Sequence, residues 1–259
     1  MQPPRPAWIE GTKTSLPLVL AILAATFVRA ADWPSYRGPT HDGVASERIN
    51  KNWTGSVTNP VWLVHLTNGI TSLSVSGGRV FTQVARNTDE DEISDKEYCL
   101  ALSTTNGAIL WATEVESAAS LHPGGGVGST DDGPRSTPVL AYESVYVLSS
   151  YLKLYRLNPA NGAVIWSTNL VSGFGGSVIP WENAASPVIE NGLVFANANA
   201  PTASLMAFDA TNGAMLRQTG RSQPAGCLWF DLNRADGALG RGLWIPLGVY
   251  GVAKVPAEP

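Results

Sequence analysis

An all-β chain, built of four-stranded units recurring about every 50 residues, is what the sequence predicts. Three observations predict it. An eleven-residue cassette occurs three times without gaps: Ala101-Leu-Ser-Thr-Thr-Asn-Gly-Ala-Ile-Leu-Trp111, Arg156-Leu-Asn-Pro-Ala-Asn-Gly-Ala-Val-Ile-Trp166 and Ala207-Phe-Asp-Ala-Thr-Asn-Gly-Ala-Met-Leu-Arg217. Short apolar runs with period-two alternation flank each copy, and no helical periodicity is evident from residue 31 onward. The composition fits: glycine (26) and proline (18) are raised, charged residues are only 15%, and 44% apolar residues suffice for a core. A net charge of −4 without clustered Lys or Arg argues against a nucleic-acid surface.

Residues 1–30 read as a secretory signal peptide. Arg5 and Lys13 precede an apolar stretch, Leu16–Val28, and small or β-branched residues surround a cut after Ala30. That stretch is shorter than the roughly 20 residues of a spanning helix, so no stable membrane span is expected after cleavage. Removing Arg5, Lys13, Arg29 and Glu10 leaves 14 basic and 20 acidic residues. Export permits disulfides, but only Cys99 and Cys227 are present, and Cys99 in Tyr-Cys-Leu-Ala-Leu reads as a small packed side chain.

Residues 31–220 hold the repeats. In each cassette Tyr98-x-Leu-x-Leu102 or its equivalent reads as a half-buried strand. The Asn-Gly pair (Asn106, Asn161, Asn212 before their glycines) is expected to supply the positive φ angles of a tight reversal. The run after the turn forms the next strand. Upstream lie further strand pairs: Ser72–Val75 with Gly78–Phe81, Ser136–Val139 with Ser144–Leu148, and Ala185–Val188 with Gly192–Phe195. Trp62 lies 49 residues before Trp111, so a degenerate unit is expected to open the array. Four short strands per roughly 50 residues is the signature of a β-propeller blade. A β-sandwich would share the strands without copying a cassette. About four blades are expected, an incomplete ring.

These residues resemble the pyrroloquinoline-quinone-like (PQQ-like) propeller repeat, whose blades end in Ala-x-Asp-x-x-Thr-Gly-x-x-x-Trp. Gly107, Gly162 and Gly213 match its turn glycine, Trp111 and Trp166 its docking tryptophan, and Asp209 its aspartate. Ser103 and Asn158 depart from the aspartate, the three Asn-Gly asparagines from the threonine, and Arg217 from the tryptophan. Asp32-Trp-Pro-Ser-Tyr-Arg-Gly-Pro39, Gly133-Pro-Arg-Ser-Thr-Pro138 and Trp181 ahead of Ala185-Ser-Pro187 resemble secreted bacterial members. The resemblance implies that the tryptophan packs between adjacent blades.

Such blades serve enzymes and non-enzymes alike. Quinone-dependent alcohol and sugar dehydrogenases of this type bind PQQ and calcium at the propeller centre, and many carry adjacent cysteines, which are lacking here. No catalytic, cofactor or metal residue is assigned. The expectation is therefore an exported, periplasmic or secreted, non-catalytic module for a protein or small-molecule partner, similar to the propeller lipoproteins of outer-membrane assembly. The alternative is a fragment of a PQQ-dependent dehydrogenase.

Other motifs read as ordinary surface. Asp89-Glu-Asp-Glu92 lacks the glycine and ligand spacing of a calcium loop and reads as a solvated tip. His122–Gly128 leads into turn residues rather than a phosphate-cradling helix. Asn52-Trp-Thr54 fits a glycosylation pattern by coincidence, and His41 and His65 read as loop histidines. Residues 221–259 form a divergent tail in which the repeat is lost. That loss, just after residue 216, suggests a truncated or frameshifted version of a longer propeller.

Overall fold

The computed structural model describes residues 31–48, 60–86, 96–117, 133–179, 182–200 and 204–219. All fall in one compact unit. The expected signal peptide, Asn52, the Asp89–Glu92 run, His122–Gly128, Trp181, Cys227 and the 221–259 tail lie outside the described residues.

Three four-stranded antiparallel sheets follow one another. The first blade comprises β1 (Ser74–Ser76), β2 (Arg79–Arg86), β3 (Lys96–Ser103) and β4 (Ile109–Ser117). The second comprises β5 (Val139–Ala141), β6 (Ser144–Leu148), β7 (Lys153–Leu157) and β8 (Val164–Asn169). The third comprises β9 (Val188–Glu190), β10 (Leu193–Asn197), β11 (Leu205–Asp209) and β12 (Met215–Thr219). Each is a meander in chain order, so nearest-neighbour pairing suffices to build it. The first strands β1, β5 and β9 lie side by side, as innermost strands must around a propeller axis. The degenerate unit expected near Trp62 contributes residues 60–66, a segment without sheet partners among the described residues.

The blades stack face to face, and this corrects the expectation of half-buried strands. Cys99 and Ala101 of β3 pack with Phe81, Trp111 and Val115 against Val145, Val147 and Leu157 of the second blade. Leu100 and Leu102 point the other way, towards Trp62 and Val64. The opposite side of the second blade, with Tyr146, Leu148 and Leu154, meets Val194, Ala196, Met206 and Phe208 of the third. Middle strands are thus covered on both faces, which is why β6 is buried at every position. Each fully buried Leu or Phe contributes about 1.5–3 kcal/mol.

The reversals also differ from the expectation. Two consecutive positive φ angles occur not at the Asn-Gly pairs of the cassettes but between the first two strands of each blade: Gly77-Gly78, Tyr142-Glu143 and Asn191-Gly192. In the cassettes only the glycine takes a positive φ, +71° at Gly107 and +74° at Gly162 and Gly213. The reason is loop length. Four residues bridge Ser103 and Ala108, whose main chains bond at 2.9 Å, and only the last must turn left-handed. The asparagine serves through its side chain: Oδ1 of Asn106, Asn161 and Asn212 accepts from the amide two residues on, at 2.8–3.1 Å. Ser103, Asn158 and Asp209 share one task as well, each accepting from the amide of its own i+2 residue. Any short side chain with an oxygen can do this, so the departures from the family aspartate preserve the turn.

One element was not expected. A single-turn helix, α1 (Leu170–Phe174), follows β8. Asn169 caps it by accepting from Val171 N and Ser172 N, and Gly175 closes it in the left-handed conformation. Phe174 meets the ring of Phe208 edge-on at 5.7 Å.

Candidate functional site

The cassette residues converge at the seams between blades. The indole of Trp111 lies over Gly162: a Cβ there would stand 2.7 Å from its Cε3 and against Thr113 Oγ1. Trp166 lies over Gly213 in the same way, at 2.8 Å. Trp62 and Val64 lie over Gly107, each at 2.6 Å. The indole N–H donates in every case to the carbonyl three residues before the glycine: Trp62 to Thr104 O (2.9 Å), Trp111 to Pro159 O (2.9 Å), Trp166 to Ala210 O (3.2 Å). Each seam therefore joins a flat apolar ring, one directed hydrogen bond and a glycine whose missing side chain admits the ring. Asp209 stays local, accepting from Thr211 N and Asn212 N. Arg217 holds the tryptophan register opposite Ala207 but is exposed.

A polar seam accompanies the apolar one between the first two blades. Glu97 and Glu116 face each other across β3 and β4 and are almost completely buried. Both reach into the turn between β6 and β7. Ser150 N donates to Glu97 Oε2 at 3.0 Å, and Ser149 Oγ donates to Glu116 Oε2 at 2.8 Å. Lys153 Nζ donates to Glu116 Oε1 at 2.6 Å. The same turn is held from the third blade, where Asn183 N donates to Ser150 O at 3.0 Å. Burial, followed by the carboxylates of Glu116, Glu114 and Glu97, pushes the Tyr155 phenol up to about 12. Burial, and then Glu97, also raises the Cys99 thiol. Cys99 is free and fully buried, an inert packing group.

Nearer the axis a relay of hydroxyls repeats. Ser72 N donates to Thr137 Oγ1 at 3.1 Å, and Thr137 N to Ser186 Oγ at 2.9 Å, so each blade accepts a bond from the one before it. Gln83 Nε2 donates to Ser136 O, while Gln83 Oε1 and Ser136 Oγ are buried without a hydrogen-bond partner among the described residues. The Ser/Thr three residues before the second strand-pair residue could have been found by aligning Ser72, Thr137 and Ser186. Glu97, Glu116 and Lys153 occur in one blade only, so no repeat marks them.

A deletion test separates the two members of the ion pair. The Lys153 side chain is one-third exposed, that of Glu116 only 2%. Glu116→Ala strands the Ser149 hydroxyl and the lysine, and is expected to cost about 2–3 kcal/mol. Lys153→Met leaves the buried carboxylate without its cation and is expected to cost more, about 3–5 kcal/mol. Urea unfolding midpoints at unchanged m would show this order; equal losses would contradict it.

The family described as outer membrane protein assembly factor BamB matches residues 53–233. The chain belongs to this PQQ-like propeller family. No curated protein matches the chain. Among solved structures, it is similar to BamB from Moraxella catarrhalis at 18% identity and TM-score 0.40, over 61% of this chain and 42% of that one. It is also similar to the quinohemoprotein alcohol dehydrogenase from Comamonas testosteroni at 17% identity and TM-score 0.48, over 73% of this chain and 27% of the enzyme. The chain thus spans under half the length of either. Among the described residues, no helix is long and apolar enough to cross a membrane.

Among the described residues, no three His, Cys, Asp or Glu side chains converge as metal ligands. The most buried carboxylates already spend oxygens on neighbouring backbone and hydroxyl groups.

Proposed function

We propose that this chain is an exported, non-catalytic propeller module that binds or scaffolds a partner, protein or small molecule, in the periplasm. One observation supports the reading: the buried carboxylates Glu97 and Glu116 serve as blade-to-blade acceptors. Membership of the BamB-described family agrees with it. The cassette residues Gly107, Trp111, Gly162, Trp166, Asp209 and Gly213 then have a structural role, keeping the blades in register so that their loops are presented rigidly.

The test is a titration of the purified chain with PQQ and calcium, followed by absorbance and by turnover of alcohols and sugars. No saturable spectral change and no turnover are expected. A calcium-dependent, saturable signal with turnover would establish the dehydrogenase-fragment alternative instead.

A further inference from the structure

The segment Ala31–Glu47 runs along the innermost edge of the blades. Trp33 and Val75 of β1 exchange two main-chain hydrogen bonds, both 2.8 Å, forming an isolated antiparallel bridge. Pro34 O then accepts from Leu140 N of β5, again at 2.8 Å. Among the described residues β1 and β5 each have only one sheet neighbour, β2 and β6. The edges that Trp33 and Pro34 cover are therefore the free, axis-side edges of two successive blades. Side chains anchor both ends of the segment: Ser76 Oγ donates to Asp32 Oδ2 at 2.6 Å, and Ala31 N to Glu47 Oε1 at 2.6 Å. Between them the chain folds back so that Gly38, at φ +77°, lies against the Trp33 ring.

We infer that the axis-side edge of β1 and β5 is a docking site for an extended peptide strand, filled in this chain by its own Asp32-Trp33-Pro34. This deepens the binding-module reading and rests on it: the partner class becomes a polypeptide that adds a strand. The chemistry is specific. The Val75 edge offers one N–H and one C=O, so the ligand needs a residue with both groups free. The Leu140 edge uses only its N–H, so the next ligand residue needs no donor, and proline satisfies it. An acidic or hydroxyl side chain one place earlier meets Ser76.

The experiment uses the full chain and a fluorescein-labelled synthetic peptide of residues 31–47, followed by anisotropy. Trp33→Pro in the chain deletes the donated N–H and the ring together. Asp32→Ala in the chain, a milder change, removes only the strap's anchor to Ser76 and leaves the edge intact. The native chain, its edge occupied in cis, is expected to bind the peptide at least tenfold more weakly than the Trp33→Pro chain, with Asp32→Ala between them. A peptide carrying Trp33→Pro should bind neither variant. Amide exchange at Val75 and Leu140 should quicken at least tenfold in Trp33→Pro and slow again when peptide is added. If neither variant binds more tightly than native, or the proline peptide binds equally well, the site does not exist. That failure would leave the scaffold reading intact, whereas quinone-dependent turnover would remove the scaffold reading and leave the edge site standing.

Discussion

Trp111→Ala is expected to lower the stability of the folded chain by about 3–5 kcal/mol, the usual range for emptying a buried aromatic site. The ring is 9% exposed and stands 5.8 Å from Phe81, within the cluster shared by the first two blades. Its removal opens a cavity at that seam, forfeits the bond to Pro159 O and uncovers the backbone at Gly162. Trp111→Phe restores most of the volume without the donor, so a loss of about 1–2 kcal/mol is expected there. Chemical denaturation of the two variants beside the native chain reads both numbers. Should alanine cost no more than phenylalanine, the ring is not holding the seam.

Gly162→Ala is the second large effect, about 2–4 kcal/mol. Part of it is conformational, since a left-handed φ of +74° costs a non-glycine residue roughly 1–2 kcal/mol. The rest is collision with the Trp111 ring and Thr113 Oγ1. Gly192→Ala supplies the control: its φ is +75°, yet nothing stands within 4 Å of the added carbon. It should lose only the conformational part, about 1–2 kcal/mol. The double variant Trp111→Ala/Gly162→Ala should lose clearly less than the sum of the singles, because the second methyl then enters space already vacated. Strict additivity would mean that ring and glycine do not meet.

The repeat made the blades legible because a propeller pays its stability in identical instalments, and Trp111, Trp166 and their glycines carry the same physics each time. What a single blade does differently left no such trace. Glu97 and Glu116 look like ordinary alternating polar positions of exposed strands, and only the stacking of the next blade buries them. The same stacking explains why half-burial was the wrong expectation for β3, whose Cys99 and Leu100 face different neighbours. At Asn-Gly the pair of residue types was read for its commonest turn, while the four-residue spacing between Ser103 and Ala108 selects another. Asp32–Pro39 stood out by resemblance, but its place against β1 and β5 comes from a tertiary pairing that local sequence does not encode. Arg217 marks where the legible pattern stops.

The tryptophan contacts all run one way along the chain. Residue 62 closes on 107, residue 111 on 162, and residue 166 on 213, never the reverse. A polypeptide made from its N-terminus therefore offers every new blade a finished surface on which to condense, with its latch already waiting.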